Sequence, residues 1–225
     1  MRKYKYQLHT HTIPCSDCSR MTPWELVKGL YECNFSGAVL TNHFINGNTG
    51  ISRKLPWNEF VQRYEDDYLR CKEYSQKFNV DIFFGIEEHI GGGQEILCYG
   101  ITPQMLYEHP ELQEKSLEKW SEVVHSYGGI CIQAHPFRDT SHNPEKGVLP
   151  AEYIDGIEVF NAGNDLEENL RAREFAVTHP GIIKTSGADA HQEKRLRLGG
   201  IETERRINDE KDLVSILKSG EYVLR

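Results

Sequence analysis

The sequence predicts a single α/β domain over residues 1–225 and, within that class, a closed or distorted barrel. Strand-like and helix-like segments alternate along the whole chain, and no internal repeat, low-complexity tract or linker divides it. Histidine and carboxylate side chains also recur where predicted strands end, as they do at the active-site face of a parallel barrel. An open, doubly wound sheet remains an alternative.

Seven segments have the composition of short strands. The first alternates apolar and polar residues, whereas residues 37–41 are almost wholly apolar, as in a buried parallel strand. The Gly91-Gly92-Gly93 turn is so short that we expect the strands beside it to be antiparallel. Strands are predicted over residues 4–8, 37–41, 80–86, 95–100, 130–134, 154–160 and 181–186.

Apolar spacing and capping residues predict the helices between these strands. Thr22, Pro23 and Glu25 form a helix start, with threonine as the N-cap and glutamate three residues later. Ser116 caps a later helix, which Gly128 ends. Helices are predicted from residue 22, over about 57–78, over 116–127, over about 165–178 and from 208 to the glycine at 220.

Composition indicates a soluble globular protein. The formal net charge is −8, from 34 acidic and 26 basic residues, and the mean hydropathy is −0.58. This balance argues against a broad electrostatic surface for anionic membranes or duplex nucleic acid, so neither membrane association nor strong duplex binding is expected. The first residues contain no apolar signal-like run, which makes a cytoplasmic location the default expectation.

The six cysteines are scattered rather than spaced as a disulfide framework. Free thiols in a reducing compartment are therefore expected. Cys15 and Cys18 have the spacing of a redox or zinc-knuckle pair, but no second pair accompanies them.

Candidate metal ligands cluster at the predicted strand ends. His9 and His11 lie one residue apart at the end of the first strand, so both imidazoles point to the same side, and Asp189 and His191 repeat this arrangement. Four imidazole-bearing segments and two carboxylates are enough for more than one divalent ion. Glu88 is as plausible a ligand as Glu87 beside it. The candidates are His9, His11, His43, Glu87, His135, Asp189 and His191.

The order of these motifs resembles that of the PHP (polymerase and histidinol phosphatase) domain family. The resemblance extends over nearly the whole chain and implies a distorted (β/α)7 barrel, phosphoester hydrolysis, and two or three bound zinc, manganese or iron ions. It also implies three ligand sets. One ion would be held by His9, His11, Glu87 and Asp189, and a second by Glu87 and His135. A third would be held by His43 and His191 together with a residue of the loop after His11. The matching motifs are His9-x-His11, Thr41-Asn42-His43, Gly85-x-Glu87, His135-Pro136-x-Arg138 and Gly187-Ala188-Asp189-Ala190-His191.

Two positions depart from the family pattern. Asp17, a candidate ligand of the third ion, comes one residue later after the histidine pair than in the family. Glu95 stands in the strand where the family commonly has a histidine. Its carboxylate either replaces that ligand, which would favour manganese or magnesium over zinc, or leaves a site for two metals.

The mechanism implied is attack on phosphorus by a metal-activated water. Arg138 is the main candidate for gripping a phosphate oxygen, with Arg195 and Arg20 as lesser candidates. Asp189 or His191 is the candidate proton shuttle to the leaving oxygen.

A small phosphate monoester or nucleotide is the expected substrate and partner, and the oligomeric state stays open. The alternatives are a 5′-3′ exonuclease acting on oligonucleotides, a catalytically degenerate metal-binding module, and an amidohydrolase, which also begins with a histidine pair on a barrel. The paired Asp189 and His191 argue against the last of these.

Overall fold

The computed structural model describes residues 3–139 and 147–225, and within them the chain forms ten strands and six α-helices. The strands are β1 (Tyr4–Gln7), β2 (Gly37–Leu40), β3 (Asp81–Phe84), β4 (Ile86–Gly91), β5 (Gln94–Tyr99), β6 (Ile130–Gln133), β7 (Gly156–Asn161), β8 (Ile183–Gly187), β9 (Ile201–Thr203) and β10 (Val223–Leu224). The helices are α1 (Pro23–Glu32), α2 (Trp57–Ser75), α3 (Pro103–Glu108), α4 (Leu117–Ser126), α5 (Leu166–Thr178) and α6 (Glu210–Ser219).

The strands divide into two mixed sheets of five. The first has the order β10-β9-β1-β2-β3, in which β1, β2 and β3 are parallel and β9 and β10 are antiparallel. The second has the order β4-β5-β6-β7-β8, in which β4, β5 and β6 are antiparallel and β6, β7 and β8 are parallel. The predicted antiparallel pairing across the Gly91–Gly93 turn is therefore confirmed.

The prediction of a single distorted (β/α)7 barrel is wrong. The described strands do not close into one barrel, because the predicted strand over residues 80–86 breaks at Gly85 and continues into the second sheet as β4. The β4-β5 turn is too short to hold the crossover helix that parallel neighbours require. Strands β9 and β10 and helix α3 were not predicted.

The two sheets nevertheless meet at the edge where the candidate ligands lie. Isolated parallel bridges join Thr10 to Ala190 and His43 to Glu87. Glycine is required at position 85, because a Cβ there would lie 2.6 Å from Val39 Cγ1. The C-terminal ends of β1, β2 and β8 and the first residues of β4 thus converge, although no barrel forms.

Apolar residues of helices and strands fill three clusters around the sheets. In the largest, Phe44 packs edge to face against Trp120 of α4, with ring centroids 5.6 Å apart. Both side chains are fully buried. None of the described helices is long and apolar enough to cross a membrane.

The start of α1 has the predicted capping box. Thr22 Oγ1 accepts a hydrogen bond from the Glu25 backbone N–H at 3.2 Å, and the Glu25 carboxylate accepts one from the Thr22 N–H at 2.7 Å. Thr22→Ala removes the first of these bonds and is expected to lower the free energy of unfolding by about 1 kcal/mol. Urea unfolding checks this value. Thr22→Ser keeps the hydroxyl and is the control; an equal loss in both variants contradicts the capping assignment.

Candidate metal centre

His9 and His11 are placed by extended backbone just beyond β1. The Ala190 N–H donates to the His9 carbonyl at 3.2 Å, and the His11 N–H donates to the Ala190 carbonyl at 3.1 Å. These two hydrogen bonds hold the segment of His9 and His11 beside the segment of Asp189 and His191. The two imidazoles point to the same side, with ring centroids 5.0 Å apart, and both are fully buried.

The Glu87 carboxylate lies at the middle of four imidazoles. Its Oε1 is 3.1 Å from His9 Nε2 and 3.2 Å from His135 Nε2. Its Oε2 is 3.3 Å from His11 Nε2 and 2.9 Å from His43 Nδ1. Burial opposes ionisation of this carboxyl, but the neighbouring imidazoles of His9 and His43 outweigh it and hold the pKa of Glu87 well below its usual range.

Asp189 approaches the same cluster from the end of β8. Its Oδ1 lies 3.6 Å from His9 Nε2, 3.4 Å from His11 Nε2 and 3.0 Å from His191 Nε2. The backbone of Asp189 has a φ of 46°, and that of His135 a φ of 30°. Left-handed backbone is costly for residues other than glycine and is concentrated at functional sites, so the fold maintains strain at two candidate ligands.

Several buried nitrogen and oxygen atoms at the centre have no hydrogen-bond partner among the described residues. They are His9 Nε2, His11 Nε2, His43 Nδ1 and Glu87 Oε2. Each lies close to an oppositely charged or polar atom, yet the geometry is not that of a hydrogen bond. Atoms that converge on common points without bonding to one another are suited to bind cations, so the residues present fit a metal centre.

Three overlapping groups of donor atoms are each compact enough to hold an ion, but His11 and His43 are each shared by two groups, so the groups are not three independent sites. Within every group the ligand atoms lie within 4.8 Å of one another. Nitrogen and carboxylate oxygen donors of this kind suit zinc, iron and manganese. The groups are His9, His11 and Asp189; His11, His43 and His191; and His43, Glu87 and Glu95.

The remaining predicted residues differ in their placement. Glu95 Oε1 lies 3.7 Å from His43 Nδ1, so this carboxylate joins the cluster. Asp17 is exposed and belongs to none of these groups of described residues, and its role as a ligand stays a prediction. Arg20 is exposed, and its N–H donates to the His191 carbonyl.

Arg138 and Arg195 lie together at the rim of the centre. Arg138 Nη2 donates to Asp189 Oδ2 at 2.7 Å. A Cβ built on Gly163 would lie 2.6 Å from Arg138 Nη2 and 3.2 Å from Arg195 Nη1, which places both guanidinium groups beside the same glycine. The cavity bounded by the cluster and Arg138 has a volume of about 590 Å³, within the range of small-molecule sites.

Glu158 is a buried residue of the site that sequence reasoning missed. It lies on β7, where its Oε1 is 3.0 Å from His9 Nδ1 and its Oε2 accepts from the His135 N–H at 3.1 Å. Because a carboxylate only accepts, His9 Nδ1 carries the proton and Nε2 is left to bind a cation. The available signal was a carboxylate between two apolar residues, Ile157 and Val159, of the predicted strand.

Ser16 orients the His11 imidazole in the same way and also binds the backbone of His43. Its Oγ donates to Asn42 Oδ1 at 3.0 Å, lies 3.0 Å from His11 Nδ1, and accepts from the His43 N–H at 3.0 Å. The hydroxyl proton is used by Asn42, so His11 Nδ1 is the donor and its Nε2 faces the cluster.

Asp67 of α2 supports the loops behind the centre. Its Oδ2 accepts hydrogen bonds from Asn42 Nδ2 at 2.8 Å and from the Thr12 hydroxyl. Burial raises the pKa of the Asp67 carboxyl to about 6, and the bonds from Thr12 and Asn42 reduce this effect only partly.

This raised pKa predicts a pH dependence of stability. The folded protein holds the Asp67 proton more tightly than the unfolded chain does. The protonated carboxyl therefore adds to the free energy of unfolding in full below pH 3.8, and this contribution is lost as the pH rises to about 6. We expect a loss of roughly 1–3 kcal/mol over this window, which Asp67→Asn removes. Urea unfolding of metal-free protein from pH 4 to 7 measures it. Asp66→Asn is the matched control, and an equal pH profile in wild type and Asp67→Asn contradicts the prediction.

Comparison with known proteins shows which solved structures have a similar fold. No family model matches the chain, and no curated protein matches it. Among solved structures, a two-domain protein from Bacteroides vulgatus containing a predicted PHP-like metal-dependent phosphoesterase matches with a TM-score of 0.72 and 13% identity. The match covers 100% of this chain and 65% of that protein, so the chain spans less than two thirds of it.

Two further solved structures carry other activities in their names. An amidohydrolase from Chromobacterium violaceum matches with a TM-score of 0.62 and 14% identity, covering 97% of each chain. Endonuclease Q, in complex with a 27-mer duplex substrate that has an abasic lesion at the active site, also matches with a TM-score of 0.62 and 14% identity. That match covers 97% of this chain and 57% of the endonuclease.

The expectation of no strong binding to duplex nucleic acid, based on net charge, is contradicted by the endonuclease complex, because a protein of this fold holds a duplex at its active site. Net charge sums over the whole surface, whereas phosphates are met by local cations and bound metals. The predicted resemblance is confirmed at the level of the fold: this chain has the fold of the PHP-like metal-dependent phosphoesterases and of endonuclease Q.

Proposed function

We propose that this chain is a metal-dependent hydrolase of phosphoesters. The observation that carries the proposal is the buried Glu87 carboxylate among four imidazoles whose facing nitrogens lie within 3.3 Å of it. A carboxylate in this position can bridge two ions. Since burying uncompensated charges is costly, such a cluster is retained where it binds cations.

The residues that would hold the ions follow from the three compact groups. His9, His11 and Asp189 would hold one ion, with Glu87 shared between it and a neighbour. Glu95 and His135 lie on the far side of Glu87, where Glu95 Oε2 is 3.4 Å from His135 Nε2. His43 and His191 would hold any further ion, because the one free nitrogen of His11 serves the first ion. The chemistry that divalent ions supply in such a site is acidification of a water molecule and neutralisation of phosphate oxygens.

The rim arginines are suited to bind the phosphate group. Arg138 is fixed by Asn164 Oδ1 at 2.8 Å, Asn161 Oδ1 at 2.7 Å and Asp189 Oδ2, so its guanidinium is oriented before a substrate arrives. A positioned planar guanidinium binds phosphate oxygens with little loss of conformational entropy. Arg195 beside it would supply a second positive charge.

His191 is the proposed proton donor to the leaving oxygen. Its side chain is about one quarter exposed, whereas His9 and His11 are fully buried. Burial lowers the pKa of His191, but Asp189 at 3.0 Å and the thiol of Cys18 outweigh it and raise the pKa to about 9. This role holds only while His191 binds no ion, because the imidazolium that can give up a proton to the leaving oxygen has no lone pair for a cation.

A small phosphate monoester or nucleotide is the proposed substrate, and the cavity volume of about 590 Å³ supports it. A nuclease acting on oligonucleotides or on duplex DNA is the second candidate, and the fold shared with endonuclease Q favours it. If neither phosphate monoesters nor nucleic acids are cleaved, the remaining alternatives are an amidohydrolase and a non-catalytic metal-binding module.

A substrate comparison tests the proposal. Metal-stripped protein is reloaded with manganese or zinc and given p-nitrophenyl phosphate, nucleoside monophosphates, a short 5′-phosphorylated single strand, a duplex with an abasic site, and an N-acyl amino acid. Phosphate release from the monoesters is expected, and Arg138→Ala should reduce it by about 10²-fold. Nucleic-acid cleavage without phosphate release favours the nuclease. Hydrolysis of only the amide, or of nothing, refutes phosphoester hydrolysis.

A further inference from the structure

Asn161 is a fully buried residue between the arginine at the rim and the metal-binding side of the centre. It is the last residue of β7. Its Oδ1 accepts hydrogen bonds from Arg138 Nη2 and from the Gly163 N–H, both at 2.7 Å. Its Nδ2 donates to Glu158 Oε2 at 2.8 Å. One side chain therefore contacts both the guanidinium proposed to bind phosphate and the carboxylate that orients His9.

The orientation of the Asn161 amide is determined by its neighbours. Arg138 Nη2 and the Gly163 N–H can only donate, so the atom that faces them is the amide oxygen. The amide nitrogen must then face Glu158, whose carboxylate can only accept. Neither leucine nor ionised aspartate, which have a similar shape, supplies an acceptor at the first point and a donor at the second.

The Glu158 carboxylate lies between Asn161 and two candidate metal ligands. Its Oε1 accepts from His9 Nδ1 at 3.0 Å, and its Oε2 also accepts from the His135 N–H at 3.1 Å. Gly187 is required beside it, because a Cβ there would collide with Glu158 Oε1. Without the bond from Asn161 the carboxylate is less firmly oriented, and we expect its bond to the His9 imidazole to weaken.

On its other side, Asn161 is one of the residues that hold the Arg138 guanidinium. Asn164 Oδ1 accepts from Arg138 Nε at 2.8 Å, and Asp189 Oδ2 accepts from Nη2 at 2.7 Å. Among the described residues Asn164 bonds to Arg138 and to the Asn161 carbonyl, and not to Glu158. Removing the Asn164 side chain therefore loosens the guanidinium and leaves the carboxylate in place.

The backbone of Asn161 is held independently of its side chain. Its N–H donates to Asn169 Oδ1 at 2.8 Å, and its carbonyl accepts from Asn169 Nδ2 at 3.1 Å. Strand β7 also pairs with β8 as far as this residue, where Asn161 lies opposite Gly187. Truncation of the Asn161 side chain is therefore expected to leave the end of β7 in place.

We propose that Asn161 is a positioning residue that couples phosphate binding at Arg138 to metal binding at His9. This inference rests on the proposed function and adds a buried residue that touches neither substrate nor metal. The amide oxygen orients the guanidinium. The amide nitrogen orients Glu158, which keeps the proton on His9 Nδ1 and leaves Nε2 for a cation. Because the amide is planar and rigid, rotation of its oxygen away from Arg138 also moves its nitrogen away from Glu158.

Metal affinity and phosphate affinity are measured separately in two variants. Asn161→Ala is expected to weaken Zn²⁺ binding to substrate-free protein by about 10-fold or more, as loss of an outer-shell partner does. It should also raise the KM for p-nitrophenyl phosphate, and the Kd of inorganic phosphate for metal-loaded protein, by roughly 2–10-fold, the net value of one hydrogen bond. Asn164→Ala is the matched control, which should raise both phosphate constants and leave the Zn²⁺ affinity unchanged.

A double-mutant cycle shows whether Asn161 acts through Glu158. If it does, Asn161→Ala causes little further loss of Zn²⁺ affinity in a Glu158→Gln background, so the two losses are not additive. The cycle is repeated with Asn161→Ser, which keeps a hydroxyl at this position, so that the test stands if one variant is unstable. Urea unfolding checks that each variant is folded.

Three results would overturn the inference: additive losses in the cycle, wild-type Zn²⁺ affinity in Asn161→Ala, or an equal loss of Zn²⁺ affinity in Asn164→Ala. Because Zn²⁺ binding is measured without substrate, its outcome is separate from that of hydrolysis. Wild type that binds zinc but releases no phosphate refutes the proposed hydrolysis and leaves the cycle in force. Wild type that binds no zinc refutes both proposals.

Discussion

Replacing Asp189 by alanine is expected to remove metal and to lower phosphoester hydrolysis by more than about 100-fold, since even outer-shell partners of a metal are worth 10–100-fold. Asp189 Oδ1 is within 3.6 Å of three imidazole nitrogens, and its Oδ2 accepts from Arg138. The variant thus loses an ionic donor and the anchor of the phosphate-binding guanidinium. His9→Ala is expected to give a comparable loss.

Elemental analysis and phosphate release measure the two effects on the same preparation. Glu122→Ala, which removes an exposed carboxylate of α4, is the control and should match the wild type. If Asp189→Ala and His9→Ala keep full metal content and activity, the assignment of the ligands is wrong.

The isosteric substitution Glu158→Gln is expected to weaken metal binding by about 10–100-fold while the fold is retained. Glu158 Oε2 accepts from the His135 N–H and from Asn161 Nδ2, so the amide oxygen takes this position and the amide nitrogen faces His9 Nδ1. His9 Nδ1 must then accept, which moves its proton to Nε2 and removes the lone pair that would bind a cation. Titration with Zn²⁺ measures the affinity, and circular dichroism checks the fold.

Glu88→Gln is the matched control. Burial raises the pKa of the Glu88 carboxyl to about 8, so it is mostly neutral at pH 7, and its oxygens accept from the Asn46 N–H rather than from an imidazole of the cluster. An amide in its place should leave the metal affinity unchanged. Equal losses in Glu88→Gln and Glu158→Gln would show a general effect of altering a buried carboxyl, and the tautomer argument would fail.

Much of the candidate site could be predicted because local geometry determines it. Side chains two apart in extended backbone face the same way, and the imidazoles of His9 and His11 do lie together. Asp189 and His191 also meet, at 3.0 Å, although the backbone of Asp189 is left-handed rather than extended. Glu87 and His135 were expected because strand ends converge. Strand ends converge in two bridged sheets as well as in a barrel, so the prediction of the ligand cluster did not depend on the prediction of a barrel, which was wrong.

Long-range pairing and loop conformation could not be predicted in the same way. The alternation of strands and helices suggested a barrel, but β4, β5 and β6 pair antiparallel and the sheet changes at Gly85. Spacing in the loop after His11 pointed to Asp17, whereas the backbone turns Cys18 toward His191. The role of Glu158 could not be predicted, because it depends on β7 lying beside the segments of His9 and His135, which only the folded chain brings together.

Metal content measured together with activity is the most direct test of the multi-metal centre. The protein is stripped with a chelator, reloaded stepwise with Mn²⁺ or Zn²⁺, and assayed for bound metal and phosphate release at each step. More than one divalent ion per chain is expected, with hydrolysis absent from stripped protein and restored as the ions return. A chain that takes up no divalent ion, or that hydrolyses phosphoesters equally before and after stripping, contradicts the account.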